Sequence, residues 1–402
     1  MNLTDFDRRQ FLERTGAGAA LALGGLAQQA TARGAQAAAG KRIRVGLIGC
    51  GSVSGRYLPH LSECPYAELV SVCDIIPERA EQRAQEFKVP NHYPHIEKML
   101  AGAPFDLLVN TTDMQEHEHL NREAIAAGKH IWSEKPIANT LAAGQEILAQ
   151  AKARGVRVWG APVVVSSPQF AFMAKTLAAG ALGRVASAHA NYGHQGPDWS
   201  AFFYQKGGGS MPDLGVYNLT SLTGLLGPAK SVTAMVSVVT PTRKIITVIP
   251  GRETVTHEIE VTEEDNAMVL LDHGNGVLSH VQCGFNFFNP YGHEGSKEQR
   301  HTISIFGSQG FMGLVGYDWE PLGVDVATEK APEYERQVTD AEGYVWQQGA
   351  SLVCECLATG KEPLFTPEHA LHVVDIMVSA RESQKTGRRI DLKSTFKWPV
   401  VA

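Results

Sequence analysis

Between positions 42 and 160 short apolar runs alternate with stretches of helical period, which predicts a parallel sheet layered by helices. Strands are expected at 43–48, 68–73, 107–111, 130–133 and 156–159, and helices at 56–62, 77–87, 116–127 and 141–153. Pro77 occupies a tolerated first-turn position, and Gly128 falls just past a helix end. Beyond Gly160 the texture changes. A helix is expected at 167–179, then strand-like segments at 185–192, 231–239, 258–261, 267–271, 277–285 and 302–306. Helical patches at 217–226 and 344–357 accompany them, and an amphipathic helix at 368–386 stops at Gly387. The pattern predicts an α/β domain over 41–160 and an α+β domain over 161–392 with a large, mostly antiparallel open sheet. The final helix is placed to pack back on the first domain. The polar stretch 292–300 reads as a mobile loop.

A chain of 402 residues that is 44% hydrophobic has ample material for two cores. A net charge of −6 without a Lys/Arg block argues against nucleic acid as a partner. The six cysteines are scattered, unlike a disulfide scaffold, and Cys354 and Cys356 fall in a predicted helix as structural residues. No metal site is expected, since His293, Glu294 and His301 lack ligand spacing.

Residues 1–38 stand apart. Arg8-Arg9 precede a Gly/Ala-rich, weakly apolar run from Thr15 to Ala27, followed by small-residue sites near Ala32 and Ala37. That order matches a twin-arginine export signal and predicts a periplasmic or otherwise exported protein that engages the export machinery. An uncleaved signal would leave the protein tethered to the membrane.

The chemistry begins at Gly49-Cys50-Gly51-Ser52-Val53-Ser54, between the first strand and first helix. Gly49 allows a tight turn, and Gly51 lets backbone N–H groups approach a pyrophosphate at a helix start. Asp74 ends the second strand, where its carboxylate accepts from an adenosine ribose and repels the extra phosphate of NADP. The fold class is therefore a Rossmann domain followed by an α+β domain, with NAD as the cofactor and NADP disfavoured.

Glu134-Lys135-Pro136 at the end of this domain carries a resemblance. Together with Asn110-Thr111-Thr112, His117, Leu182-Gly183-Arg184, Gly207-Gly208-Gly209, Asp213-Leu214-Gly215-Val216-Tyr217 and Phe306-Gly307-Ser308, it resembles the glucose–fructose oxidoreductase/inositol dehydrogenase (Gfo/Idh/MocA) family over roughly 41–392. The resemblance implies an oxidoreductase that moves hydride between a sugar or polyol carbon and a nicotinamide. It adds Asn110, Thr111, Thr112, His117, Glu134 and Lys135 to Gly49, Gly51, Ser52, Val53 and Asp74 as cofactor-binding residues. It also implies Lys135, Asp213 and Tyr217 as catalytic residues, and a homo-oligomer formed through the C-terminal sheet.

Asp213 and Tyr217 are spaced i, i+4, so one helical turn puts them on one face. A Lys135 ammonium near Tyr217 is expected to lower the phenol pKa and make it a general base. Trp199, Tyr204 and His189 are candidate substrate contacts, the aromatics as a stacking face for a sugar. Export implies a tightly bound cofactor that is reset in place, because NAD(H) is not freely exchanged outside the cytoplasm. A redox-assisted glycosidase, epimerase or lyase, or a non-catalytic sugar-binding relative, is the alternative reading.

Overall fold

The computed structural model describes residues 42–290 and 297–401. Its first sheet is built from β1 (Ile43–Ile48), β2 (Ala67–Cys73), β3 (Asn91–Tyr93), β4 (Leu107–Asn110), β5 (His130–Ser133) and β6 (Val158–Gly160). Five helices join them: α1 (Ser54–Glu63), α2 (Pro77–Phe87), α3 (Ile96–Ala101), α4 (His117–Ala126) and α5 (Leu141–Arg154). The strands run parallel in the order β3-β2-β1-β4-β5-β6. β1 and β4 are almost wholly buried, as mostly apolar strands must be when helices cover both faces. Strand order reverses between β1 and β4, so the crevice at their carboxyl ends is the natural ligand position of such a sheet.

The second half begins with α6 (Pro168–Ala178), whose first turn is capped by the Ser167 hydroxyl. It continues with β7 (Val185–Gly193), a wide π turn (Met211–Gly215) leading into α7 (Val216–Leu226), and β8 (Ser231–Ser237). The hairpin β9 (Thr242–Thr247) and β10 (Val255–Glu260) pairs only with itself. Then come β11 (Asn266–Gly274), β12 (Val277–Gly284), β13 (His301–Gly307), β14 (Gly310–Tyr317), β15 (Glu320–Thr328) and β16 (Ala331–Gln337). Helices α8 (Gly349–Thr359) and α9 (Pro367–Thr386) and the short β17 (Ile390–Asp391) finish the fold. Nine strands form one sheet in the order β16-β15-β14-β13-β7-β12-β11-β8-β17, antiparallel throughout except for β7 with β12. The two sheets are the α/β and α+β architectures expected from the pattern.

One face of the large sheet is covered by α7 and α9. Its other face exposes Met235, Met268, Leu270, Leu278 and Phe306, with His189 among them. The final helix differs from expectation in being buried on more than one side. Leu371, Val373, Val374, Ile376, Met377 and Ala380 are all covered, because α9 is wedged between β8 of the second sheet and α5 and β6 of the first. Gly144 in α5 lies so close to Leu371 that any side chain there would clash.

The sequence pattern misses β3, α3, β9, β17 and the meander β14–β16. Gly310, Gly313, Gly316 and Gly323 interrupt the alternation of β14 and β15, while β16 is polar and exposed on nearly every residue. The patch expected as a helix over 344–357 is a short 3₁₀ turn (Trp346–Gln348) followed by α8. In the stretch read as a mobile loop, residues 291–296 lie outside the described residues. Its end is pinned, with Arg300 donating from backbone and side chain to the buried carboxylate of Glu298.

Candidate active site

The turn after β1 is shaped for a ligand that approaches its backbone. Gly49 sits at φ +91°, and a Cβ on it would strike the Thr111 backbone at 2.5 Å. A Cβ on Gly51 would meet nothing within 4 Å, so the space beside it is open. No side chain caps α1 at Val53, so its first-turn amides are available to an anion placed there. The Ser54 hydroxyl instead donates to Gly51 O (2.6 Å), and Arg83 of α2 reaches the same carbonyl and that hydroxyl. Asp74 accepts from Cys50 N (2.7 Å) and Ile76 N (2.8 Å), which ties the β2 end to the glycine turn. Each carboxylate oxygen keeps a further lone pair for a ribose hydroxyl. Open glycine, uncapped helix and presented carboxylate fit a dinucleotide.

Three residues predicted to touch the cofactor are committed elsewhere. Asn110 donates to Asn121 Oδ1 and accepts from Thr112, whose hydroxyl is 2.7 Å away. Thr111 donates to the carbonyls of Ile48 and Gly49. His117 is buried with Nδ1 2.8 Å from Pro136 O and Nε2 3.0 Å from Thr112 O, and burial pushes its pKa down. These side chains brace the loop after β4 against the glycine turn and against the Glu134–Pro136 loop. Glu134 is likewise buried, accepting from Tyr57 OH (2.6 Å) and from Lys135 N (3.0 Å).

Lys135 crosses to the second half. Its ammonium donates to Asp213 Oδ1 (2.8 Å) and Asp213 O (3.0 Å), both side chains being only 12% exposed. It also stands over the Tyr217 ring, 5.3 Å from the centroid. The three predicted catalytic residues converge, although Asp213 and Tyr217 are joined by a π turn running into α7 and not by one regular α turn.

The expected phenolate is not supported. Burial, followed by the charges of Glu134, Asp213 and Asp318, pushes the Tyr217 phenol well above its ordinary value. Lys135 lies over the ring face and its charge is matched by Asp213, so it does not offset those effects.

The loop that carries Asp213 has a support the sequence does not reveal. Gly209 adopts φ +111°, and a Cβ on it would collide with the Glu264 carboxylate. Glu264 accepts from Met211 N (3.1 Å) and its carbonyl from Ser210 N (2.9 Å). Arg381 of α9 closes the arrangement, donating to Glu264 Oε2 (2.9 Å) and to Gly208 O. Burial raises Glu264 to about 7. The first atoms of the π turn are therefore fixed by an ion pair anchored on the final helix.

The substrate contacts are rearranged. Tyr204 is buried, donates to Pro197 O (2.6 Å) and packs on Phe285, so it shapes a loop. Trp199 stays partly exposed, edge-on to Phe203. His189 points to the opposite face of the sheet. Ala188, Ala190 and Tyr192 are buried on the inner face, and strand alternation sends His189 outward against His280 and Phe306. The aromatic wall beside Tyr217 is Tyr192 (6.1 Å), which contacts Tyr317 (4.5 Å), with Trp319 stacked beyond. Asp318 adjoins it, accepting from Asn218 and Ser221, and burial raises it to about 6.

An oxidoreductase-family model with an NAD-binding Rossmann fold matches residues 43–161, and a Gfo/Idh/MocA C-terminal domain model matches 170–312. The chain is 25% identical over 358 residues to trans-1,2-dihydrobenzene-1,2-diol dehydrogenase of Bos taurus, covering 85% of this chain and 96% of the relative. It is 26% identical to D-apiose dehydrogenase of Paraburkholderia graminis, covering 88% and 91%. The WlbA dehydrogenase of Bordetella pertussis, solved with NADH and UDP-GlcNAcA, superposes with a TM-score of 0.69 at 20% identity, covering 88% of this chain and 99% of that one.

Proposed function

Because the chain belongs to the Gfo/Idh/MocA family and is an NAD(P)-dependent oxidoreductase, we propose that it interconverts a hydroxyl and a carbonyl on a sugar or polyol at the Lys135–Asp213–Tyr217 site. The single observation that carries this reading is the Lys135–Asp213 contact, which joins the end of the nucleotide-binding half to the aromatic-walled half. The nicotinamide supplies the hydride acceptor or donor at the substrate carbon. Tyr217, kept protonated by burial, donates a proton to a carbonyl oxygen, so its resting state suits the reducing direction. Lys135 opposes negative charge developing on that oxygen, and Asp213 holds the ammonium in place. Oxidation of a hydroxyl runs the same step backwards and starts from the Tyr217 phenolate, so the phenol must first lose its proton to solvent before it can accept the substrate's. The Tyr192–Trp319 wall offers an apolar face to a sugar ring.

The cofactor is held tightly, in keeping with export of a folded, loaded protein on the twin-arginine route. Arg8 and Arg9 lie outside the described residues and support that reading through their sequence context alone. The exposed apolar face of the large sheet supports a homo-oligomer.

The test is to identify by mass spectrometry the nucleotide released from purified protein, then to screen sugars and polyols for a change in its nicotinamide absorbance. Release of NAD or NADH with at least one responsive sugar is expected. A protein that retains NAD while no sugar or polyol changes its redox state would overturn the substrate assignment. Lysine at both Arg8 and Arg9 is expected to abolish export.

A further inference from the structure

The β9–β10 hairpin stands outside both sheets, and β10 is exposed along nearly its whole length. A two-stranded hairpin is marginal by itself, so what fixes it shows what it is for. At its base Arg243 donates to Gln195 O (2.5 Å), Phe285 O (2.8 Å) and Asn286 Oδ1 (2.7 Å), and Ile246 N donates to Asp198 O (2.6 Å). These contacts root it in the loop that carries Trp199. Its tip reaches the other half of the protein. Arg252 donates through Nε (3.1 Å) and a terminal nitrogen (2.6 Å) to Glu78 Oε1, and Arg79 reaches Val248 O at 3.5 Å. Glu78 and Arg79 belong to the first turn of α2, directly after Asp74-Ile75-Ile76.

That rim has the composition of a base-binding edge. Ile75 is 78% exposed beside the ribose-selecting Asp74, and Val248 on the tip is 62% exposed. Two large apolar side chains left open at one edge, next to a carboxylate and an arginine, match a ligand with a flat apolar face and a polar sugar.

We infer that the β9–β10 hairpin is a strap forming the outer wall of the adenosine end of the cofactor site, with Val248 against the base and the Arg252–Glu78 pair as its latch. The proposal rests on the reading of the Gly49–Asp74 crevice as the cofactor site. It gives the tight retention of NAD a physical device, since a nucleotide seated on Asp74 leaves only when the latch opens.

The experiment compares equilibrium binding of NAD, ADP-ribose and nicotinamide mononucleotide to the full chain and to Arg252→Ala, Val248→Ser and Asp74→Ala. Losing the exposed latch in Arg252→Ala should weaken NAD and ADP-ribose alike by roughly fivefold and speed NAD release. Val248→Ser should act in the same direction, and nicotinamide mononucleotide, which lacks the adenosine, should bind unchanged. Unaltered NAD and ADP-ribose affinity in both hairpin variants, with a clear loss in Asp74→Ala, overturns the strap and leaves the cofactor site standing. An equal loss for nicotinamide mononucleotide also overturns it, by showing a general disturbance. If Asp74→Ala itself leaves ADP-ribose binding intact, the cofactor reading fails.

Discussion

The ammonium of Lys135 stands over the face of the Tyr217 ring, 5.3 Å from its centroid, while its charge is matched by Asp213 at 2.8 Å. The lysine is thus placed to stabilise charge on a substrate oxygen instead of drawing the proton off the phenol. Tyr217→Phe should retain cofactor while hydride transfer falls by ~10²–10⁴-fold. Lys135→Met should be at least as damaging. The double variant should lose less than the two effects combined, because the groups act as a unit. Single-turnover reduction of bound NAD by a responsive sugar is the assay, and a near-normal rate in Tyr217→Phe would move the proton step to another group.

Asp74 holds the Cys50 and Ile76 amides and, in the proposed cofactor site, offers its remaining lone pairs to the ribose. Asp74→Ser should relax discrimination against NADP while weakening NAD. It should also lower stability by about 1–3 kcal/mol, since buried amide donors lose a charged acceptor. Calorimetric titration with the two nucleotides and a denaturant curve separate these effects. Tighter binding of NADP than NAD by the unaltered protein contradicts the assignment.

The Glu264–Arg381 pair holds the glycine run ahead of Asp213. Arg381→Met should lower kcat by roughly tenfold or more, because a small displacement of a catalytic group is costly, while NAD affinity stays within about twofold. Measuring kcat and nucleotide binding on the same preparation checks it. Equal losses in both would point to a general loss of folded protein.

Two buried histidines of α9 make stability depend on pH. His372 Nε2 accepts from Ala229 N (3.0 Å), so its ring must be neutral, and His369 lies 2.8 Å from the Thr223 hydroxyl. Burial lowers His372 to about 4 and His369 to about 3. The unfolded chain takes up these protons near the ordinary histidine value of 6.5, earlier than the folded chain does. Their stabilising contribution is therefore whole above that pH and declines as pH falls towards 4, by at most ~1.4 kcal/mol per unit for each ring. His372→Asn should flatten the fall in melting temperature between neutral and acid pH. An unchanged slope would refute the account.

Much of this was legible in the chain. Pro77 and the helical period after it bounded α2 to the residue, and Gly387, in the left-handed region, marked the end of α9. Glycine turn, Asp74 and the Lys135 motif located the site because each is a local pattern. The Glu264–Arg381 support was not legible, since its partners are far apart in sequence and neither belongs to a motif. The direction of the Tyr217 shift was missed for a related reason. Burial and three carboxylates act on the phenol, whereas the sequence reading weighed only the Lys135 ammonium. His189 was an avoidable error, for the buried Ala188, Ala190 and Tyr192 alternate around it and already assign it to the far face.

The wedged position of α9 has a consequence for how the protein is made. Lys135 and Asp213 are both translated well before residue 367, yet Arg381, which steadies the loop that presents Asp213, belongs to Pro367–Thr386 and emerges long after them. The helix also lies between the two sheets, so their mutual placement waits on its arrival. A nascent chain can begin to fold its nucleotide-binding half on the ribosome, but the support of the Asp213 loop is complete only once Arg381 has been synthesised.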